Sequence, residues 1–278
     1  MHVLNVNYTT PEAPKLFCQS LKDTGFAVLN NHPISPNLIN QVYQNWKDFF
    51  SSEEKNNYLF RREEQDGYFP YRSETAKGVK TSDLKEFFHI YPWGRIPEAS
   101  KEISLELFYV LNGLAAELLQ WIEDYLPIDV SKKLSIPLKQ MIDNSSKTLL
   151  RVLHYPPLLE SVERNAVRAA AHEDINLITL LPAATAPGLE VLDVHGNWHT
   201  VECNPGNIVV NVGDMLQMCT DFYYKSTTHR VRNPDENIEN NSRFSMPLFL
   251  HPRGDVKLSE KCTALEYLHE RLREIGIY

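Results

Sequence analysis

Residues 169–181 read Ala169-Ala170-Ala171-His172-Glu173-Asp174-Ile175-Asn176-Leu177-Ile178-Thr179-Leu180-Leu181. An imidazole and a carboxylate two residues apart sit inside an apolar, β-prone run. Side chains at i and i+2 of an extended chain share a face, so His172 and Asp174 can reach one point while Glu173 turns away. Two such groups grip a divalent metal without closing its shell. A third ligand has to come from elsewhere in the chain.

Around this stretch the chain reads as short strands. They are predicted at Thr148–Tyr155, Val167–His172, Leu177–Leu181, Leu189–Val194, Trp198–Val201, Asn207–Val212, Met215–Thr220, Ser226–Val231 and Arg243–Leu250. Turn signals such as Pro156-Pro157, Pro187-Gly188 and Asn204-Pro205-Gly206 separate them. Strands at this spacing predict a jelly roll or closed double sheet. Upstream the pattern is mainly helical. Ser35-Pro36 starts one helix, and Ser100 is expected to cap the longest, which runs to about Tyr125. Between them, Gln65 to Trp93 reads as aromatic-rich loop and edge strand, with Tyr68 and Tyr71 as candidate pocket residues. Thr263 opens a last amphipathic helix. The expected architecture is mainly β with α in one domain, residues 1–278. A mainly helical region (1–143) precedes a jelly-roll core (144–258), and a C-terminal helix (259–278) closes the chain.

Composition excludes some partners. Asp and Glu number 36 against 28 Lys and Arg, giving a net charge of −8, and no basic cluster stands out. That argues against a nucleic-acid partner. No apolar run reaches the roughly 18 residues that span a bilayer, and no signal pattern opens the chain. Cys18, Cys203, Cys219 and Cys262 form no Cys-x-x-Cys pair and read as reduced thiols. The expectation is a soluble cytoplasmic protein acting on a small molecule, with no membrane partner and an open oligomeric state.

The third ligand is expected from His229, in the strand-like run Lys225-Ser226-Thr227-Thr228-His229-Arg230-Val231-Arg232. In a jelly roll this strand can fold back beside His172. Two His and one carboxylate on one side of a metal are the ligand set of non-haem Fe(II) oxygenases, and leave positions open for cosubstrate and O2. In Arg243-Phe244-Ser245, the first and last side chains share a face. A guanidinium takes a carboxylate bidentately and a hydroxyl adds a further bond, so the pair suits an organic acid; Tyr155 can add a phenol. Arg151 shares strand parity with Tyr155 and should point inward. There it must meet an anion, either a substrate carboxylate or an internal Glu. Phe249 shares parity with Arg243 and Ser245 unless Pro247 breaks the alternation, and is a further candidate for the substrate pocket. Asn211 reads as a strand-end residue, and His154 as facing outward.

Taken in order, several passages resemble the Fe(II)- and 2-oxoglutarate-dependent oxygenases of the isopenicillin N synthase-like family. They are Asp23 to His32, Asp83-Leu84-Lys85-Glu86-Phe87-Phe88, His154-Tyr155-Pro156-Pro157, His172-Glu173-Asp174, Asn211-Val212-Gly213-Asp214, Tyr224-Lys225-Ser226, His229-Arg230-Val231, Arg243-Phe244-Ser245 and the tail from Thr263 to Arg273. The resemblance covers nearly the whole chain. It implies a double-stranded β-helix, with Fe(II) on His172, Asp174 and His229. It places the far carboxylate of 2-oxoglutarate on Arg243, Ser245 and Tyr155. The implied reaction couples decarboxylation of 2-oxoglutarate by O2, giving succinate and CO2, to hydroxylation or a related oxidation of a small molecule. One departure is Leu153, where many plant members carry Asn. Two alternatives stay open: an oxidase of the isopenicillin N synthase or ethylene-forming type that does not use 2-oxoglutarate, and a non-catalytic metal-binding jelly-roll sensor.

Overall fold

The computed structural model describes residues 1–74, 81–158, 166–234 and 239–274. The N-terminal part runs β1 (Asn5–Asn7), α1 (Ala13–Thr24), β2 (Phe26–Asn30), α2 (Pro36–Ser51), a 3-10 turn (Glu53–Tyr58), β3 (Gly67–Phe69), β4 (Glu86–Ile90), α3 (Glu98–Asp124), α4 (Ile128–Ser131) and α5 (Leu138–Met141). Then come β5 (Leu149–Tyr155), β6 (Ala169–His172), β7 (Ile178–Pro182), β8 (Leu189–Leu192), β9 (Trp198–Thr200), β10 (Ile208–Val212), α6 (Asp214–Cys219), β11 (His229–Val231), β12 (Arg243–Ser245), β13 (Leu248–Leu250), β14 (Lys257–Ser259), β15 (Cys262–Thr263) and α7 (Ala264–Glu274). Residues 275–278 of the expected C-terminal helix lie outside the described residues.

A large sheet has the order β1-β2-β10-β7-β13-β5-β4-β3, with β12 also on β5, and a small sheet has the order β6-β11-β8-β9. This is the jelly-roll core of a double-stranded β-helix, with the N-terminal strands extending both sides of the large sheet. Strand alternation divides the large sheet's residues cleanly. Ala27, Leu29, Phe88, Ile90, Leu150, Val152, Ile178, Leu180, Ile208, Val210, Leu248 and Leu250 pack against the helices. Trp46 of α2 anchors that layer: fully buried, it donates its indole N–H to Ser104 of α3 (2.9 Å) and packs on Phe49 and Phe88. Truncating such a ring to Ala costs about 3–5 kcal/mol. The opposite face meets the small sheet in two apolar clusters. One holds Phe26, Val28, Val209, Leu189 and Val191; the other holds Phe69, Phe87, Leu153, Tyr155, Ala169 and Val231.

Two glycines let backbone approach the interior. Gly25 ends α1 with φ +75°, and a Cβ there would stand 2.2 Å from Thr227 Oγ1. Only glycine lets the turn into β2 press on the segment before His229. A Cβ on Gly213 would stand 2.2 Å from the Asn176 carbonyl oxygen, so this glycine allows α6 to start against the loop after Asp174.

The predicted strand Met215–Thr220 is helix α6 instead. Met215, Leu216 and Cys219 are its buried residues, a helical spacing that a six-residue apolar run disguises. Backbone N–H groups of Asp214 and Met215 bond the carbonyls of Asp174 (2.7 Å) and Ile175 (3.2 Å), which fixes the turn. Ser100 does not cap the longest helix; α3 begins at Glu98 after Pro97. The last predicted strand is interrupted at Met246-Pro247, since proline donates no ladder bond. The register on β5 is nevertheless the same on both sides of Pro247: Ser245 opposes Leu153, and Leu248 opposes Leu150. Alternation survives, and Phe249 stays on the inward face with Arg243 and Ser245.

Candidate active site

His172 ends β6 and His229 begins β11, and they are direct partners in that antiparallel pair. Their ring centroids lie 4.4 Å apart. Each Nδ1 faces the carbonyl two residues back: Ala170 at 2.7 Å and Thr227 at 3.1 Å. A carbonyl only accepts, so each Nδ1 carries the proton and donates it, leaving both Nε2 lone pairs free. Asp174 Oδ1 lies 3.9 Å from His172 Nε2 and 3.7 Å from His229 Nε2. One ligand atom from each of the three residues lies within 4.8 Å of the others, a separation that a single bound ion would bridge.

The second carboxylate oxygen is held from behind. Asp174 Oδ2 accepts from Thr179 Oγ1 (2.6 Å) and Asn211 Nδ2 (2.8 Å). Burial opposes charge on Asp174, yet His229, His172 and these two donors outweigh it and hold the carboxyl below its usual range. His172 is part-buried, and the desolvation of its ring, then the neighbouring His229, keeps it below the ordinary imidazole value and so in the neutral form. Glu173 points away, as its parity requires, and accepts from the Thr228 hydroxyl, tying the two ligand-bearing segments together. The donor set fits a divalent iron: two neutral imidazoles and one anionic oxygen on one side, with the His172 side chain at the solvent-facing rim, 39% exposed.

On β12, Arg243 is only 2% exposed. Its Nε donates to the Ala186 carbonyl (3.0 Å) and a terminal nitrogen to Ser245 Oγ (3.3 Å). The guanidinium carbon stands 5.1 Å from the ring of Tyr155, its ladder partner on β5. Among the described residues no carboxylate pairs with it. Arg168, also 2% exposed, donates to the Asn241 carbonyl (2.8 Å) and likewise meets no carboxylate among the described residues. Burial and then the nearby Arg243 lower its pKa. A cavity of about 310 Å³ opens beside Arg243, between Leu181, Leu189 and Val209. Arg243, a buried cation with no carboxylate partner among the described residues and with open space beside it, suits an organic anion.

Arg151 points inward as predicted, between the rings of Phe87 (4.5 Å) and Phe249 (5.3 Å). The anion it meets is an internal Glu, Glu74, at 3.5 Å. Glu74 in turn lies 2.6 Å from Lys85, which also bonds Asp83 at 2.7 Å. Tyr68 is not a pocket residue. It pairs with Phe88 on the helix-facing side and donates to Glu86, which also holds Lys55 and His154. Strand parity is the reason: Phe69, its neighbour, takes the inward position. Tyr71 lies beyond β3 and is 38% exposed.

The sequence reading did not single out Thr179, Arg168, Lys85 or Glu74, and it took Asn211 only as a strand-end residue. The signal for Thr179 was present: a hydroxyl in an apolar strand, out of phase with Ile178 and Leu180. The pairing of Glu74 with Lys85 is set by the tertiary fold and has no local signature.

Two family models match, one for the 2OG-Fe(II) oxygenase superfamily over residues 146–252 and one for the non-haem dioxygenase in morphine synthesis N-terminal over residues 9–105. A solved structure of a candidate oxygenase from Shewanella oneidensis is 50% identical over 100% of both chains, with a TM-score of 0.90. A candidate 2OG-Fe(II) oxygenase family protein from Caulobacter crescentus is 32% identical over 99% of both chains, with a TM-score of 0.81. The 2-oxoglutarate-Fe(II) type oxidoreductase hxnY of Emericella nidulans is 29% identical over 269 residues, 85% of this chain and 73% of that one. With that likeness running from end to end, and with a His-Asp-His centre between its sheets, the chain belongs to the 2OG-Fe(II) oxygenase superfamily and is an Fe(II)- and 2-oxoglutarate-dependent oxygenase.

Proposed function

We propose that His172, Asp174 and His229 hold the Fe(II), that Arg243 and Ser245, with Tyr155 beside them, take the far carboxylate of 2-oxoglutarate, and that the oxidised substrate is a small molecule held between the sheets. The observation that carries this reading is the pair of proton-committed imidazoles, whose free Nε2 atoms converge with Asp174 Oδ1. Bound iron, with 2-oxoglutarate and O2, supplies the oxidising chemistry: 2-oxoglutarate becomes succinate and CO2, and the substrate is hydroxylated or otherwise oxidised.

The protein's own share is positioning and exclusion of water. Asn211 and Thr179 fix the Asp174 carboxylate. The Arg243 guanidinium, with Arg168 nearby, offsets the charge of a dicarboxylate. Phe26, edge-on to His229 with centroids 5.5 Å apart, covers one side of the centre. No helix among the described residues is long and apolar enough to cross a membrane. The four cysteines are free thiols, and burial pushes Cys18, Cys203 and Cys219 up to about 12, which suits a reducing cytoplasm.

The test is succinate release from 2-oxoglutarate with Fe(II) and O2. The native chain should release it and Asp174→Ala should not. Arg243→Met should need at least tenfold more 2-oxoglutarate for half-maximal rate. An Arg243→Met enzyme with unchanged dependence on 2-oxoglutarate would remove the clamp from this reading.

A further inference from the structure

His89 and Arg151 are opposed residues in the β4–β5 ladder, and both face the interior. Directly opposed side chains in an antiparallel pair start about 4.5–5.5 Å apart at Cβ. Each carries a buried nitrogen with no partner among the described residues: His89 Nε2 and Arg151 Nε. His89 Nδ1 lies 2.7 Å from the Gln65 carbonyl, which only accepts, so Nδ1 holds the proton. Burial and the neighbouring Arg151 keep the ring neutral. Its Nε2 is therefore a bare acceptor, on the residue opposite Arg151 and its unpartnered Nε–H.

Such orphaned groups destabilise the fold unless a ligand meets them. The surroundings are flat and apolar. Phe69 lies 4.4 Å from the His89 ring and Phe87 5.2 Å, while Phe87 and Phe249 flank the guanidinium. Orientation is built in from behind. Gln65 sits in a loop closed by Asp66, fully buried and held by Arg61 (2.7 Å) and by the Arg95 backbone N–H (2.8 Å). The loop so held presents the carbonyl that orients His89.

Charge decides what the edge takes. Among the described residues Lys85 and Arg151 are matched by Asp83 and Glu74, two charges of each sign. A carboxylate ligand would add an uncompensated buried anion and would leave His89 Nε2 without a donor. The cluster also reaches the metal centre, since Asp83 Oδ1 accepts from the Ala170 backbone N–H (3.0 Å), two residues before His172.

We propose that the opposed His89 and Arg151 form the substrate-recognition edge of this oxygenase. The substrate class is a neutral, flat molecule with an N–H donor beside a carbonyl acceptor, as in a cyclic amide. The inference rests on the oxygenase reading for its word "substrate", but the subsite itself needs no metal. The N–H would donate to His89 Nε2, the carbonyl would accept from Arg151, and the phenylalanines would cover the ring faces.

The test titrates the full chain, loaded with Fe(II) and 2-oxoglutarate without oxygen, with 2-pyridone, N-methyl-2-pyridone and benzoate. 2-Pyridone should bind, and its N-methyl form, which lacks the donor, should bind at least tenfold more weakly. In His89→Phe, which keeps a flat ring, that difference should vanish. Preferential binding of benzoate, equal binding of the two pyridones, or no binding of either would overturn the proposal. 2-Oxoglutarate binding is read in the same calorimeter. Its failure, with the pyridone difference intact, would count against the Arg243 assignment and leave the recognition edge standing.

Discussion

Asn211 Nδ2 lies 2.8 Å from Asp174 Oδ2, the carboxylate oxygen turned away from both histidines. With Thr179 on the same oxygen, it leaves one oxygen aimed at the metal position and one fully occupied. Partners behind a ligand commonly govern affinity by 10–100-fold. Asn211→Leu and Thr179→Val should each weaken Fe(II) binding by about tenfold, and the double variant should lose more. Anaerobic Fe(II) titration measures it; native affinity in the double variant would mean that these bonds only hold the loop.

Metal binding should appear as stability. A ligand that binds only the folded chain at 100 times its Kd adds about 2.7 kcal/mol. Fe(II) should raise the thermal midpoint, a chelator should reverse the rise, and Asp174→Ala should show neither. A rise that persists in Asp174→Ala would place the responsible ion elsewhere.

His251 predicts an acid limb. Burial drives its pKa down to about 4, against a weaker opposing bond to the Phe249 carbonyl. An unfolded imidazole protonates near 6.5. Between those values the unfolded chain binds a proton that the folded chain refuses, so stability is full above about 6.5 and falls as pH drops through about 4. The loss is on the order of 3 kcal/mol. Buried His89 is shifted in the same direction and adds to the slope. Urea midpoints against pH should show a shallower limb in His251→Gln; an unchanged limb would clear His251 of the effect.

Tyr68→Phe separates the helix-facing side of the sheet from the interior. It removes the hydroxyl bond to Glu86, so stability should drop by about 1 kcal/mol while half-saturation for 2-oxoglutarate stays put. A change in that half-saturation would mean the Glu86 cluster reaches the site through β4.

The His172–Asp174 and Arg243–Ser245 spacings were legible because each is a two-residue interval in or just beyond a strand, and strand parity is a local rule. The same rule placed Arg151 inward and left its partner undecided. Glu74 is 77 residues away from it in sequence, and only the fold brings them together. Tyr68 failed because an aromatic in a short edge strand has two possible phases, and sequence alone does not choose between them. The region 215–220 failed because six apolar-rich residues carry too little periodicity to separate strand from helix. The helix won through Gly213, whose missing side chain lets the turn approach Asn176.

The two sheets divide the work. His172 and His229 stand on the small sheet, while Arg243, Tyr155, Arg151 and His89 all stand on the large one. Asp174 joins them, lying beside the small sheet's histidines through one oxygen and bonded to the large sheet's Thr179 and Asn211 through the other. If His89 and Arg151 select the substrate as proposed, the paired imidazoles and the choice of what is oxidised sit on different sheets. On that proposal His89 and Arg151 could be exchanged to redirect the chemistry to a new molecule without touching the ladder pair that holds the imidazoles, provided that Tyr155, also inward on β5, is kept for 2-oxoglutarate. That makes the large sheet the place to begin if this scaffold is to be retooled as a biocatalyst.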